Sequence, residues 1–329
     1  MIQVQHLSKQ FRTAAAKEGA FKGVRMLFSR DVRIKHAVAD INFNIEPGEF
    51  VGYIGPNGAG KSTTIKMLSG ILHPTSGRVT IDGLSPHHDR RRVARKLGVL
   101  FGQRTQLWWD LPVRDSFDIL AAMYGIDAGM MKRRLSQLSE LLELEPFMDT
   151  PARKLSLGQR MRSDLAAALL HDPAILFLDE PTIGLDVTAK RSIRHFLKSI
   201  NQHLGKTVLL TTHDMDDIEQ LCGRVIVIND GKLGFDGSID DLRRRIGLPT
   251  LIRITYKLPI ADSAKHAITR SEFNGLQLSC GEDERVLTAA CNREQLSAMD
   301  ALRMLEQYGE IEDVHMEEPD FEEIVHRIY

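Results

Sequence analysis

Residues 55–63 read Gly-Pro-Asn-Gly-Ala-Gly-Lys-Ser-Thr, a spacing suited to one task, the grip on a phosphate chain. Gly55, Gly58 and Gly60 free the backbone for conformations that side chains resist. Within this stretch, Pro56, Asn57, Ala59 and Thr63 complete a loop whose N–H groups turn toward an anion. A helix starting near Gly60 adds its positive end to the same cradle. Lys61 supplies a point charge for β- and γ-phosphates, and Ser62 a hydroxyl for Mg²⁺.

A second cluster lies far along the chain. Residues 174–180, Ala-Ile-Leu-Phe-Leu-Asp-Glu, form an apolar run that ends in two acids. Such a run predicts a central strand of a parallel sheet, and ligands of such sheets sit at the strands' carboxyl ends. Asp179 stands there to hold Mg²⁺, and Glu180, one residue on, is placed to polarise a water. An acid pair after a strand also makes an ordinary solvated turn. The run 206–214 is a further buried-strand pattern and carries His213 at its end. His213 is either a capping residue or a hydrogen-bond partner for a phosphoryl oxygen and the attacking water. Gln103 follows a third such strand, 99–102, where a neutral amide reaches both Mg²⁺ and water.

These residues need strands and helices to hold them. Residues 49–54 predict the strand that leads into the loop, and Ile65, Leu68 and Leu72 predict a helix over 62–72 behind it. Residues 1–10, 38–46 and 77–82 predict flanking strands. Residues 104–160 predict a mainly helical part, with Phe117, Leu120, Leu135, Leu138, Leu141 and Leu142 as apolar stripes. The chain has 329 residues, enough for two domains. Its 43 Lys and Arg balance 44 Asp and Glu, so it lacks the basic surplus of a general nucleic-acid binder, and no nucleic acid is expected as a partner. No apolar stretch approaches the ~20 residues of a bilayer span. The first residues alternate as a strand and lack a signal peptide's apolar core. Cys222, Cys280 and Cys291 have no metal-ligand spacing and read as reduced thiols.

Residues 155–159, Leu-Ser-Leu-Gly-Gln, open an apolar-faced helix a short distance before the acid pair. With the phosphate loop, this resembles the ATP-binding cassette of ABC transporters, whose signature is usually Leu-Ser-Gly-Gly-Gln. The resemblance covers residues 1 to about 240. It implies an α/β fold, a P-loop cassette with a mixed-sheet core plus a helical subdomain at about 104–160. It implies an ATPase whose cofactors are ATP and Mg²⁺. Residues 55–63 match the Walker A loop, Gln103 the Q-loop glutamine, Asp179 the Walker B aspartate and Glu180 the catalytic glutamate. Residues 184–186, ending in Asp186, match the D-loop, and His213 the switch histidine. In that family two cassettes meet head to tail, so that Ser156, Gly158 and Gln159 of one complete the nucleotide site of the other. Ser156 is also, more simply, a helix cap.

The match departs from the family in two places. Leu157 replaces the signature's usual glycine, which puts a bulky side chain at the expected dimer seam. Phe11 matches the aromatic residue that stacks on adenine, yet a basic insertion at about 12–35 follows it directly. In that insertion Phe21, Val24, Leu27 and Phe28 recur at helical spacing, either as an amphipathic helix against lipid or permease or as a surface helix of its own domain. Trp108 and Trp109, next to Gln103, are either core residues or part of a permease-docking groove.

The cassette is expected over 1–246 and a small C-terminal α+β domain over 247–329. The order β-α-β-β-α-β is read there from strands at 251–256, 276–281, 285–290 and 310–316 and helices at 294–308 and 320–327. Residues 318–325 are similar to tails of cassettes serving ABC-2 type exporters, which implies a dimerisation or regulatory role. The implied partners are separately encoded transmembrane permease subunits and a second cassette in a homodimer. The implied location is the cytoplasmic face of the cell membrane, peripheral through the permease. The alternative is a soluble cassette ATPase acting on a macromolecular complex. A DNA-acting relative would need a long coiled coil between the motifs, and 61–179 has no sustained heptads.

Overall fold

The computed structural model describes residues 1–14, 32–102, 104–247, 249–261, 276–281, 283–291, 296–317 and 321–328. The chain divides into two compact units, Met1–Ile239 and Asp240–Ile328. In chain order the first contains β1 (Ile2–Ala14), β2 (Val32–Ile45), β3 (Phe50–Ile54), α1 (Lys61–Leu68), β4 (Ser76–Ile81), α2 (Arg90–Ala94) and β5 (Leu97–Phe101). There follow α3 (Val113–Tyr124), α4 (Ala128–Leu142), α5 (Leu157–Leu169), β6 (Ile175–Asp179), α6 (Val187–Leu204), β7 (Thr207–Thr211), α7 (Met215–Leu221), β8 (Arg224–Asn229) and β9 (Lys232–Ser238). Helix α8 (Ile239–Ile246) comes next.

The apolar runs become the main sheet, in the order β5-β6-β7-β3-β8-β9. All its pairings are parallel except that of β8 with β9. Strands β3 and β7 are buried along their whole length, as continuous apolar runs demand when both faces are covered. An antiparallel sheet, β2-β1-β4, packs over one face. Ile2, Val4 and Ile41 from it meet Tyr53, Phe177 and Ile65 in one core. The result places the ends of β3, β6 and β7 side by side, with their loops on one rim.

Two expectations for the first unit need correction. Helix α1 stops at Leu68 rather than running to Leu72, because Gly70 turns left-handed (φ 74°) and packs against the Pro86 carbonyl. Strands β1 and β2 run further than expected and pair Phe11 with Lys35, Arg12 with Ile34 and Ala14 with Val32. Both ends of the expected insertion therefore extend a strand pair, and its candidate helix at 21–28 lies outside the described residues. Trp108 and Trp109 are exposed, not core. Among the described residues no helix is long and apolar enough to cross a membrane.

The second unit holds β10 (Thr250–Tyr256), β11 (Leu276–Cys280), β12 (Val286–Cys291), α9 (Ala298–Leu305), β13 (Ile311–Glu317) and α10 (Phe321–His326). Its antiparallel sheet has the order β11-β12-β10-β13. Alternation in β10 buries Ile252, Ile254 and Tyr256 against Leu287 and Leu305. The buried Tyr256 hydroxyl donates to the Leu305 carbonyl at 2.8 Å, which satisfies it. The expected helix at 294–308 is shorter, because Ser297 caps it by accepting from the Asp300 amide at 3.1 Å. The described elements of this unit run β-β-β-α-β-α, where β-α-β-β-α-β is expected, and residues 262–275 between β10 and β11 lie outside the described residues.

Candidate active site

The phosphate loop is built by close approach of backbone. A Cβ added to Gly55 would lie 2.1 Å from the Ile228 carbonyl oxygen, and one on Gly60 2.4 Å from that of Ala37. Gly60 also takes φ 110°, open to glycine alone at low cost, and starts α1. It carries no side chain to cap that helix, so the first-turn N–H groups remain for an external acceptor. Lys61 is buried, and its Nζ donates to the carbonyls of Gly55 (2.5 Å) and Pro56 (3.2 Å). Burial lowers the Lys61 pKa, and Glu180 and Asp179 oppose that shift.

The carboxylates stand opposite the loop. Asp179 ends β6 in register with Thr211 at the end of β7, and the Thr211 hydroxyl donates to its Oδ1 at 2.5 Å. Ser62 Oγ lies 3.5 Å from the same oxygen, across the cleft from α1. Glu180 takes a left-handed backbone (φ 57°), an uncommon strain for this residue, and its amide donates to the Thr211 carbonyl at 2.9 Å. The turn aims its side chain at His213, whose amide donates to Oε2 and whose Nε2 lies 3.3 Å from Oε1. Burial raises the Glu180 pKa, and His213 and Lys61 oppose that shift. A carboxyl poised this way is suited to accept a proton from water.

These residues share a cleft of about 750 Å³, in the range that holds a nucleotide. Its walls include Phe11, Pro56, Asn57, Gly58, Gly60, Lys61, Ser62, Thr63, Asp179, Glu180 and His213. Gly55 and Ala59 form the loop behind it. Gln103 lies outside the described residues, while its neighbours Gly102 and Arg104 line the cleft. The side chains of Ser62 and Asp179 offer hard oxygen donors, which suit Mg²⁺. Gly102 cannot carry a Cβ, which would fall 2.4 Å from the Glu180 carbonyl oxygen.

Ser156, Gly158, Gln159 and Asp186 are not brought to this cleft. They line a separate hollow of about 340 Å³ with Leu157, Gly184 and Arg162. Ser156 caps α5 in a full capping box: its hydroxyl accepts from the Gln159 amide (3.2 Å), and Gln159 Oε1 accepts from the Ser156 amide (2.9 Å). Asp186 caps α6 by accepting from the Ala189 amide at 2.8 Å. Leu157, the unusual signature residue, packs toward Gly184 of the same chain: a Cβ there would meet its Cδ2 at 3.0 Å.

Some residues of the site carry no motif. Lys35, Lys66 and Arg104 add positive charge to the cleft wall. Thr211 was legible only as a strand end, and its register with Asp179 was the usable signal. Asp217, fully buried in α7, accepts from Thr182 Oγ1 (2.5 Å) and Thr212 Oγ1 (3.2 Å) and pairs with Arg194. It thereby ties the segments after Glu180 and before His213 together, and nothing in its local sequence marks it.

Comparison with known proteins agrees with this geometry. The family model described as "ABC transporter" matches residues 38–183. The chain is 34% identical to the ABC transporter ATP-binding protein NatA of Bacillus subtilis (strain 168), over 65% of this chain and 87% of that protein. It is 36% identical to the Nod factor export ATP-binding protein I of Burkholderia pseudomallei (strain K96243), over 86% of this chain and 91% of that protein. Among solved structures it resembles the dimeric, post-hydrolysis state of the ATP-binding cassette MJ0796 bound to ADP and Pi. That match has a TM-score of 0.61 and 28% identity, over 72% of this chain and 98% of that one. A phosphate cradle facing a strand-end acid pair, in a chain this similar to cassettes along most of its length, leads to one assignment: the protein belongs to the ATP-binding subunits of ABC transporters and is an ATPase.

Proposed function

We propose that two copies of this chain close around ATP and Mg²⁺, and that the closure and its reversal power a separately encoded permease. One observation carries this reading. The chain builds a phosphate-loop cleft and, apart from it, a hollow at the Ser156 end of α5, with no lining residue in common. A second copy placed head to tail brings Ser156, Gly158 and Gln159 to the γ-phosphate, where the end of α5 offers N–H groups and a positive dipole. Asp186, in the same hollow, then lies at the seam. The MJ0796 cassette is dimeric in its post-hydrolysis state with ADP and Pi, which supports the same arrangement here.

Each residue has a task in hydrolysis. Phe11 stacks on the base, the glycine loop and Lys61 hold the β- and γ-phosphates, and Ser62, Asp179 and Gln103 would hold Mg²⁺. Held there, Mg²⁺ would supply positive charge against the phosphate oxygens. Glu180 takes the proton of the attacking water, and His213 keeps Glu180 and the phosphoryl oxygens in line. A bond forms between water oxygen and γ-phosphorus while the bond to the β,γ-bridging oxygen breaks. ADP keeps that electron pair, and once the freed phosphate has left, the anionic glue between the two copies is gone.

The direction of transport is read as export, on the likeness to the Burkholderia Nod factor export protein. An ABC-2 type permease, a homodimer and a place at the cytoplasmic membrane face belong to the same reading. The unit Asp240–Ile328 then serves dimerisation or regulation. The test combines turnover with capture. Glu180→Gln retains ATP and loses turnover by about 100-fold, the size of a general-base effect. The tagged chain brings a multi-spanning membrane protein out of detergent extracts. Wild-type turnover in the variant, or capture of soluble proteins alone, contradicts the proposal.

A further inference from the structure

Asp164 lies in α5, two turns beyond Ser156, and is 5% exposed. A carboxylate this deep needs partners. Its Oδ1 accepts from Thr105 Oγ1 at 2.9 Å and from the Gln106 amide at 2.7 Å. The Thr105 hydroxyl oxygen in turn accepts from the Leu107 amide at 3.1 Å. The same short loop is fastened to β5 on its other side, where Gln106 Nε2 donates to the Val99 carbonyl at 2.9 Å and the Arg104 amide to that of Phe101 at 2.8 Å. Gly102 and Arg104, which begin this loop, line the phosphate cleft. One buried oxygen therefore joins the loop that leaves the phosphate cleft to the helix whose capped end forms the second hollow.

We propose that Asp164 is a positioning residue: it locks the Ser156 end of α5 to the loop 104–107, so that each copy presents its signature end in a set relation to its own phosphate cleft. The inference rests on the two-copy reading above. The mechanism is mechanical. Helix α5 is a continuous rod, and Asp164 lies about 12 Å along it from Ser156 at 1.5 Å per residue. Hydrogen bonds to a charged acceptor are the strong kind, and two from one loop remove its freedom to slide along the helix. Without them the loop and α5 move independently, and the copy-to-copy fit at the γ-phosphate loosens, while the cradle for a single nucleotide stays intact. Asp164 touches none of the reacting atoms, so its effect appears in closure and turnover rather than in capture of ADP.

The experiment measures ATP-driven dimerisation by sedimentation in full-length Glu180→Gln, with and without Asp164→Ala or Asp164→Asn. ADP titration calorimetry on each protein serves as the control for the cradle. Asp164→Ala weakens the dimer by about tenfold or more, the worth of a hydrogen bond to a charged group, with ADP affinity unchanged within about twofold. Asp164→Asn keeps an oxygen acceptor and restores dimerisation to within about threefold. A merely structural role would weaken ADP binding in step with the dimer. Thr105→Val, which removes one donor and leaves the acid in place, is the second variant and weakens the dimer about threefold. Asp164→Ala and Thr105→Val dimers as tight as the parent overturn the inference and leave the two-copy reading standing. A Glu180→Gln parent that stays monomeric with ATP overturns both.

Discussion

Asp164 also makes a stability prediction whose sign and size follow from its surroundings. Burial pushes its pKa from 3.8 up to about 6, against the pull of the Gln106 amide, the Thr105 hydroxyl and Arg160. Between these values the folded chain binds more protons at this site than the unfolded chain does. Stability therefore falls as pH rises through this window, the reverse of an ordinary paired carboxylate. Integrated from pH 5 to pH 7.5, the loss is roughly 1–2 kcal/mol, and about 3 kcal/mol relative to the fully protonated limit. Asp164→Asn keeps the acceptor and removes the charge, so it escapes this loss. The Tm difference between Asp164→Asn and wild type should grow in favour of the variant by about 3–6 °C between those pH values, at the size of the first unit. Thermal melts of the two proteins in matched buffers read this directly, because every other titrating group is common to both. A difference that stays flat with pH, or grows toward acid, refutes the reasoning that this acid is buried at a charge-disfavouring site.

Three other substitutions probe the cleft. Gly55→Ala puts a methyl 2.1 Å from a backbone oxygen, so it should abolish ADP binding in calorimetry and lower stability by roughly 1–3 kcal/mol in denaturant melts. Phe11→Ala should weaken ATP binding about tenfold by loss of base stacking, measured against a nucleotide triphosphate lacking a base as the control that does not change. Thr211→Val removes the donor to Asp179 and should lower turnover about tenfold, with ADP affinity nearly constant in calorimetry.

What was legible in the sequence is what depends on local spacing. The loop 55–63 has its chemistry written in consecutive residues, and its strand and helix are adjacent in sequence. The helix start at Ser156 is read from Ser156 and Gln159 three residues apart, because a capping box is a local structure. Asp179 and Glu180 were placed by the apolar run before them. Asp164 is not legible in sequence, because its partners Thr105 and Gln106 are 59 and 58 residues away, and only tertiary packing turns a helical Asp into a buried acceptor. The same holds for Asp217, whose partner Thr182 lies 35 residues away. The end of α1 was overestimated because Leu72 fits the helical period, while the close approach of Gly70 to Pro86 is invisible in one dimension. The added length of β1 and β2 is not legible in one dimension, because the basic residues Arg12 and Lys35 suit an exposed strand pair as readily as a loop.

The central claim is that nucleotide is enclosed between two copies of this chain. Analytical ultracentrifugation of Glu180→Gln with and without ATP and Mg²⁺ measures it most directly. The account predicts a monomer without nucleotide, a dimer with ATP, and a monomer again when ADP replaces ATP. A particle that keeps one size under all three conditions, with calorimetry showing the nucleotide bound, contradicts it.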